Sequence, residues 1–153
     1  MVEALLLQGG EKVLEIGTGA GYGAAVLAEI AAEVYTIECI KELAERASAV
    51  LKALGYDNVH VRHGDGTVGW PAQAPFDAIM ASAGGPEVPE TLKHELKTGG
   101  RLVIPIGQSR SYQELVRVTR VAEESFESED LTTVRFVPLV GKEGWSPEFP
   151  SWD

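Results

Sequence analysis

The sequence predicts an α/β fold in which a mostly parallel sheet is covered by helices on both faces and ends in an antiparallel strand pair at one edge. An apolar run, Val13 to Ile16, breaks into glycines at 17, 19 and 21 and leads into a helix-forming segment. Beyond it, short β-branched runs alternate with stretches of helical periodicity, the pattern of parallel strands joined by helices. After residue 115 two strand-like segments follow each other with no helix between them, which suggests antiparallel pairing.

Met1 to Gln8 is apolar at nearly every position and is stopped by Gly9 and Gly10, as the last two turns of a helix with a glycine cap would be. A domain seldom begins in mid-helix, so a preceding segment is expected. The first strand carries one acid, Glu15. Ala24 to Ala32 is alanine-rich and reads as a helix, and Glu33 to Glu38 is β-branched and aromatic enough for the second strand. Lys41 to Leu54 repeats apolar residues at 43, 47, 50, 51 and 54, close to helical spacing, and Gly55 ends it. Val59 to Val61 is the third strand and Phe76 to Ala81 the fourth. Pro89 to Leu96 is a short helix closed by Lys97, Thr98, Gly99 and Gly100. Arg101 to Ile106 is the fifth strand, with Pro105 near its end, where a missing donor matters least. Leu115 to Val121 alternates apolar with basic residues, Glu123 to Asp130 reads as a solvated hairpin tip, and Thr133 to Val140 is the last strand. The tail from Gly141 is expected to be irregular.

The 153 residues, 44% of them hydrophobic, suffice for one domain with a proper core and are too few for two of ordinary size. Twenty-three acidic against thirteen basic residues give a net charge of -10, and the bases are scattered, so nucleic acid is a poor partner. Cys39 is the only cysteine, which excludes an internal disulfide and fits a reducing compartment. No run approaches the roughly 18 to 20 apolar residues of a membrane span, and no basic segment precedes Leu5 to Leu7. A cytoplasmic protein is expected. His60, His63 and His94, separated in sequence and joined by one cysteine, do not make a metal site.

Open parallel sheets bind ligands at the carboxyl ends of their strands, and three acids fall there. Glu15 lies inside the first strand, where a buried charge is costly unless paired or hydrogen-bonded; it either organises the glycine loop or touches a ligand. Glu38 closes the second strand 21 residues after Gly17, about the spacing at which a carboxylate accepts the hydroxyls of an adenosine ribose; the alternative is a strand-end acid exposed to solvent. Asp65, between Gly64 and Gly66, either turns toward an adenine amino group or makes an ordinary Asx turn. Gly19-x-Gly21-x-x-Ala24 also matches the dinucleotide fingerprint of dehydrogenases, but that register leaves Gly17 and Glu15 unexplained.

Glu15-x-Gly17-x-Gly19-x-Gly21, with an acid ending the second strand and another after the third, resembles the S-adenosylmethionine site of the Rossmann-like class I methyltransferases. The runs Val34 to Glu38, Leu54 to Val59, Gly64 to Gly66, Ala74 to Ile79, Gly99 to Gly107, Gln113 to Leu115 and Val134 to Leu139 are similar to one family, the protein-L-isoaspartate O-methyltransferases. The match runs from Gly9 to Trp145. The resemblance implies methyl transfer from S-adenosyl-L-methionine to the α-carboxylate of isoaspartyl residues in damaged proteins or peptides. It implies a donor site made of Glu15, of Gly17, Thr18, Gly19 and Gly21 around the methionine arm, of Glu38 on the ribose with Cys39 beside it, and of Asp65 with Gly66 at the adenine. A carboxylate acceptor is already anionic at pH 7 and needs no general base, which agrees with the absence of a triad.

The family also carries, before its first strand, several helices with a Ser-x-Pro motif whose serine lies over the methyl donor. No residue here inherits that role, so no catalytic residue is assigned. If the chain is complete, weak donor binding and little turnover are expected, together with an exposed apolar patch along Met1 to Leu7 that a second copy would bury. A non-catalytic donor-binding domain and a small-molecule methyltransferase are the alternatives; an RNA methyltransferase is disfavoured by the charge. Ser82 to Pro86 either lines an acceptor channel or is a flexible loop, His63 bonds locally or relays to Asp65, and Trp145 and Trp152 either close a pocket or pack on the sheet edge.

Overall fold

A computed structural model describes residues 1–109 and 111–148. Seven strands form one sheet: β1 (Lys12–Ile16), β2 (Glu33–Glu38), β3 (Val59–His63), β4 (Phe76–Ala81), β5 (Leu96–Ile106), β6 (Gln113–Ala122) and β7 (Ser125–Val134), in the order β3-β2-β1-β4-β5-β6-β7. The first five run parallel; β6 is antiparallel to β5 and β7 to β6, so the edge pairing expected after residue 115 is present.

Alternation along the central strands divides the core between two faces. Leu14, Ile16, Ile79 and Leu102 bury on one side, with Phe76, Leu92 and Leu96. Val13, Ala78, Met80 and Val103 bury on the other, where α1 (Tyr22–Ala28) contributes Ala24 and Leu27 and α2 (Lys41–Ala53) contributes Leu51. The buried stripe of α2 is Ala44, Ala47 and Leu51, of which the two alanines let the helix lie close on the sheet. The short α3 (Glu90–His94) covers the first face through Leu92. A sheet buried on both faces explains why β1 and β4 read as near-continuous apolar runs.

Several boundaries differ from the sequence expectation. Met1 to Gln8 holds only a single 3-10 turn, Glu3–Leu5, and Leu6 rather than a glycine takes the left-handed cap, φ 55°. Arg101 Nε donates to the Leu5 carbonyl at 2.7 Å and Arg117 Nη1 to that of Ala4 at 3.1 Å, capturing the carbonyls a longer helix would have used. Leu5 is fully buried, Met1, Val2, Ala4 and Leu7 pack partly against the second core cluster, and only Leu6 is exposed, so the open apolar patch expected here is largely closed. The first helix starts at Tyr22 and stops at Ala28, short of Ala32, because the Asn58 amide donates to the carbonyls of Ala28 and Ala31.

The third strand runs on to His63. Lys97 to Gly100 lies within β5 rather than closing α3; Phe76 pairs with Leu96, and a register shift before Ala78 absorbs the extra residues. The acidic stretch 123–130 is mostly strand, not hairpin tip, and β7 ends at Val134, leaving Pro138 and Val140 as isolated bridges. An edge strand wet on both sides needs no apolar alternation: Phe126 alone of its first half packs inward, Glu129 pairs with Arg117 at 3.0 Å, and the remaining acids protect the edge from further pairing.

Candidate functional site

Each of the first three strands ends in a turn that feeds one cleft. It is lined by Ile16 and Gly17 after β1, Ile37 and Cys39 around the end of β2, Gly66 after β3, Ala83 after β4, and Pro138, Leu139 and Val140 from the chain beyond β7. It sits beside β1 and β4, where the strand order reverses. The walls are mostly apolar and the polar groups few, which suits an aromatic heterocycle with a polar arm.

The glycine loop is concave because its backbone is left-handed at three places: φ is 95° at Gly17, 54° at Gly19 and 95° at Gly21. A Cβ on Gly19 would meet nothing within 4 Å, so the loop faces open space there. At Gly66 the reason for glycine is different, since a Cβ would stand 2.3 Å from Ile16 Cγ2 and close the cleft floor.

Glu38 is buried, and its carboxylate is fixed by two backbone donors, Gly19 N–H at 2.8 Å on Oε2 and Ile40 N–H at 3.0 Å on Oε1. It therefore ties the glycine loop to the end of β2 while retaining lone pairs for a ligand hydroxyl. The Cys39 thiol, 3.6 Å from Glu38 Oε1, is pushed up by burial and by the neighbouring Glu38, with a smaller push from Asp65. Both carboxylates thus act on one point of the rim.

Asp65 accepts from Thr67 N–H at 2.8 Å and Thr67 Oγ1 at 2.7 Å through one oxygen, and from Lys142 N–H at 2.8 Å through the other. Burial works to raise its pKa, but these donors prevail and hold the carboxyl below its ordinary range. The Asx turn is real, and the residue also straps the C-terminal segment to the cleft; of about four lone-pair sites on a carboxylate, one stays open. Asp65 shares no hydrogen bond with His63, which is exposed.

Glu15 is 1% exposed and points to the α1 face, between strands rather than into the cleft. Thr36, its register partner on β2, donates to Oε1 at 2.7 Å, and Thr36 Oγ1 lies 2.6 Å from Thr18 Oγ1 in the glycine loop. Burial pushes Glu15 up to about 7; the Thr36 bond opposes this and Glu38 adds to it. Its protein partner is thus a threonine of β2 rather than the loop amides.

Thr36 and the Pro138–Val140 wall went unassigned in the sequence reading. The first was legible in principle, because aligning the starts of β1 and β2 sets Glu15 opposite Thr36. The second depended on the chain returning from β7: Gly84 N–H donates to Val137 O and Leu139 N–H to Gly84 O, both at 2.8 Å. The tail from Gly141 is likewise tied down, by Glu143 on Thr91 N–H and by the Trp145 indole on Gly84 O at 3.1 Å. Ser82 to Pro86 is pinned by these bonds rather than flexible, and Trp152 lies outside the described residues. Among the described residues no group of three or more His, Cys, Asp or Glu could hold a metal ion, and no helix is long and apolar enough to cross a membrane.

The family model for protein-L-isoaspartate(D-aspartate) O-methyltransferase matches residues 1–144. A protein-L-isoaspartate O-methyltransferase of Rhodopseudomonas palustris CGA009 is 60% identical over 99% of this chain and 69% of its own length; one from strain HaA2 is 58% identical over 98% and 61%. The chain thus spans about three fifths to two thirds of such relatives. Among solved structures, a protein-L-isoaspartate O-methyltransferase superposes with a TM-score of 0.86 at 33% identity, covering 94% of this chain and 46% of the other. A Plasmodium falciparum chain named as a candidate for the same enzyme, solved with S-adenosyl-L-homocysteine, gives 0.75 at 26% identity, covering 90% and 68%.

Proposed function

Since this chain belongs to the protein-L-isoaspartate O-methyltransferase family, we propose that it binds S-adenosyl-L-methionine in the cleft at the ends of β1, β2 and β3 and transfers its methyl group to the α-carboxylate of isoaspartyl residues in damaged proteins. The observation that carries this is the convergence of Gly17, Cys39 and Gly66, each beside one of the predicted polar groups, on a single apolar cleft. The glycine loop with Thr18 takes the methionine arm, Glu38 the ribose hydroxyls, and Asp65 through its remaining lone pair the adenine amino group.

When bound, the donor supplies an electrophilic methyl on a sulfonium. The chain's own residues would orient it and exclude water, the Pro138–Val140 wall, held by Gly84, on the adenine side. No side chain needs to remove a proton, because the acceptor carboxylate is ionised at neutral pH. Positioning of that oxygen against the methyl supplies most of the rate.

Calorimetry with S-adenosylmethionine, followed by labelled-methyl transfer to an isoaspartyl peptide and to its normal aspartyl twin, tests the reading. Saturable binding with transfer to the first peptide alone is expected. Absence of binding removes the site; binding without transfer reduces the protein to a donor-binding domain. A cytoplasmic location rests on the lone Cys39 and is read by fractionation. Self-association through the N-terminal turn would rest mainly on Leu6, and a clean monomer in light scattering at high concentration excludes it.

A further inference from the structure

The glycine loop is wired to a buried acid through a single hydroxyl. Thr36 has one proton to give. While Glu15 is ionised that proton goes to Oε1, so the 2.6 Å contact with Thr18 must be donated by Thr18, whose own proton is then turned inward. With Glu15 protonated the order reverses: the acid can donate to Thr36, Thr36 to Thr18, and the Thr18 proton is released toward the loop. Both threonines are buried, so water does not substitute for either link.

Building on the donor-site reading above, we infer that Thr36 is a positioning residue that transmits the ionisation of Glu15 to Thr18, so that the glycine loop is held by one order of hydrogen bonds when Glu15 is charged and by the reverse order when it is neutral. The surroundings leave the signal few other routes. Glu38 of β2 is the charged side chain acting on Glu15; α1 sets Gly23 against it, where a Cβ would stand 2.4 Å from Oε2, and β4 sets its register partner Met80 beside it, and neither titrates. Burial places the titration of Glu15 near neutrality, where the two states exchange under ordinary conditions. A ligand carrying a sulfonium and an ammonium group is favoured by a loop set for the charged acid, so the charged state is the one it selects.

The test is the pH dependence of S-adenosylmethionine affinity by calorimetry in the unmodified protein, Glu15→Gln, Thr36→Val and Thr36→Ser, with folding checked by circular dichroism. Titration of the ligand itself is common to all four and cancels in the comparison. Relative to Glu15→Gln, the unmodified protein should lose about tenfold in affinity from pH 8 to pH 6, by linkage to one group titrating near 7. Because the Thr36 bond holds the Glu15 pKa down, Thr36→Val is followed to alkaline pH as well; it should lose most of that dependence over the whole range, and Thr36→Ser should recover it. A full tenfold dependence in folded Thr36→Val, or none in the unmodified protein, overturns the inference. If Glu15→Gln does not fold, the Thr36 pair decides alone. Failure of the unmodified protein to bind at any pH strikes the donor site rather than the relay.

Discussion

Glu15→Gln is expected to make the protein more stable at alkaline pH than at acid pH, relative to the unmodified chain. Glu15 moves from an ordinary 4.5 to about 7 in the folded state because it is buried. A raised acid pKa means that the folded state holds its proton more tightly than the unfolded one. The associated stability is therefore complete below 4.5, drains away as pH rises toward 7, and is gone above it. At about 1.4 kcal/mol per pH unit, ionising Glu15 costs the fold about 1 kcal/mol at pH 5 and about 3 kcal/mol at pH 8. Glutamine keeps the shape and cannot ionise; any fixed cost of setting its amide beside Gly23 is the same at both pH values. Urea unfolding of both proteins at pH 5, 6, 7 and 8 should show the stability difference moving in favour of the variant by about 2 kcal/mol across that range. A difference that stays level with pH would refute the placement of an ionisable, desolvated carboxyl in β1.

Glu38→Gln should weaken S-adenosylmethionine binding by about 10- to 100-fold, the worth of a charge-assisted hydrogen bond, measured by calorimetry; unchanged affinity would remove Glu38 from the site. Leu5→Ala should cost about 2–5 kcal/mol of unfolding free energy and Leu6→Ala no more than about 0.5 kcal/mol, because one side chain is fully buried and the other half exposed; equal costs would contradict the seating of the N-terminal turn. Gly66→Ala should cost about 1–3 kcal/mol through its clash with Ile16 and also narrow the cleft, whereas Gly19→Ala, with open space around it, should cost only the left-handed backbone strain of about 1–2 kcal/mol. A ligand affinity left intact by Gly66→Ala would argue against a ligand lying over the end of β1.

What the sequence disclosed follows from how strongly each segment is constrained on both sides. Val13 to Ile16 and Phe76 to Ala81 lie in the sheet centre, largely apolar, and were readable to within one residue. The glycine loop and the end of β2 were readable because left-handed backbone and strand-end acids are rare enough to stand out. Edge segments were not: β7 is stabilised by pairing and by Arg117 rather than by burial, so its acids looked like loop. The length of α1 was set by Asn58, 30 residues from the carbonyl it captures, and no local pattern reports such a partner. Asp65 was read for its ligand and its turn, but its bond to Lys142 crosses 77 residues and became visible only in three dimensions. The same holds for Thr36, whose meaning lies in the register with Glu15.

The seating of the opening turn bears on the order in which the molecule is made. Leu5 and Ala4 hand their carbonyls to arginines 96 and 113 residues further on. A chain emerging amino end first from the ribosome exposes that turn long before β5 and β6 exist to receive it. That segment is therefore made before its partners and fastened only after them, and until then the slot beneath Leu5, on the helix-bearing side of the sheet, stays open to water or to a chaperone.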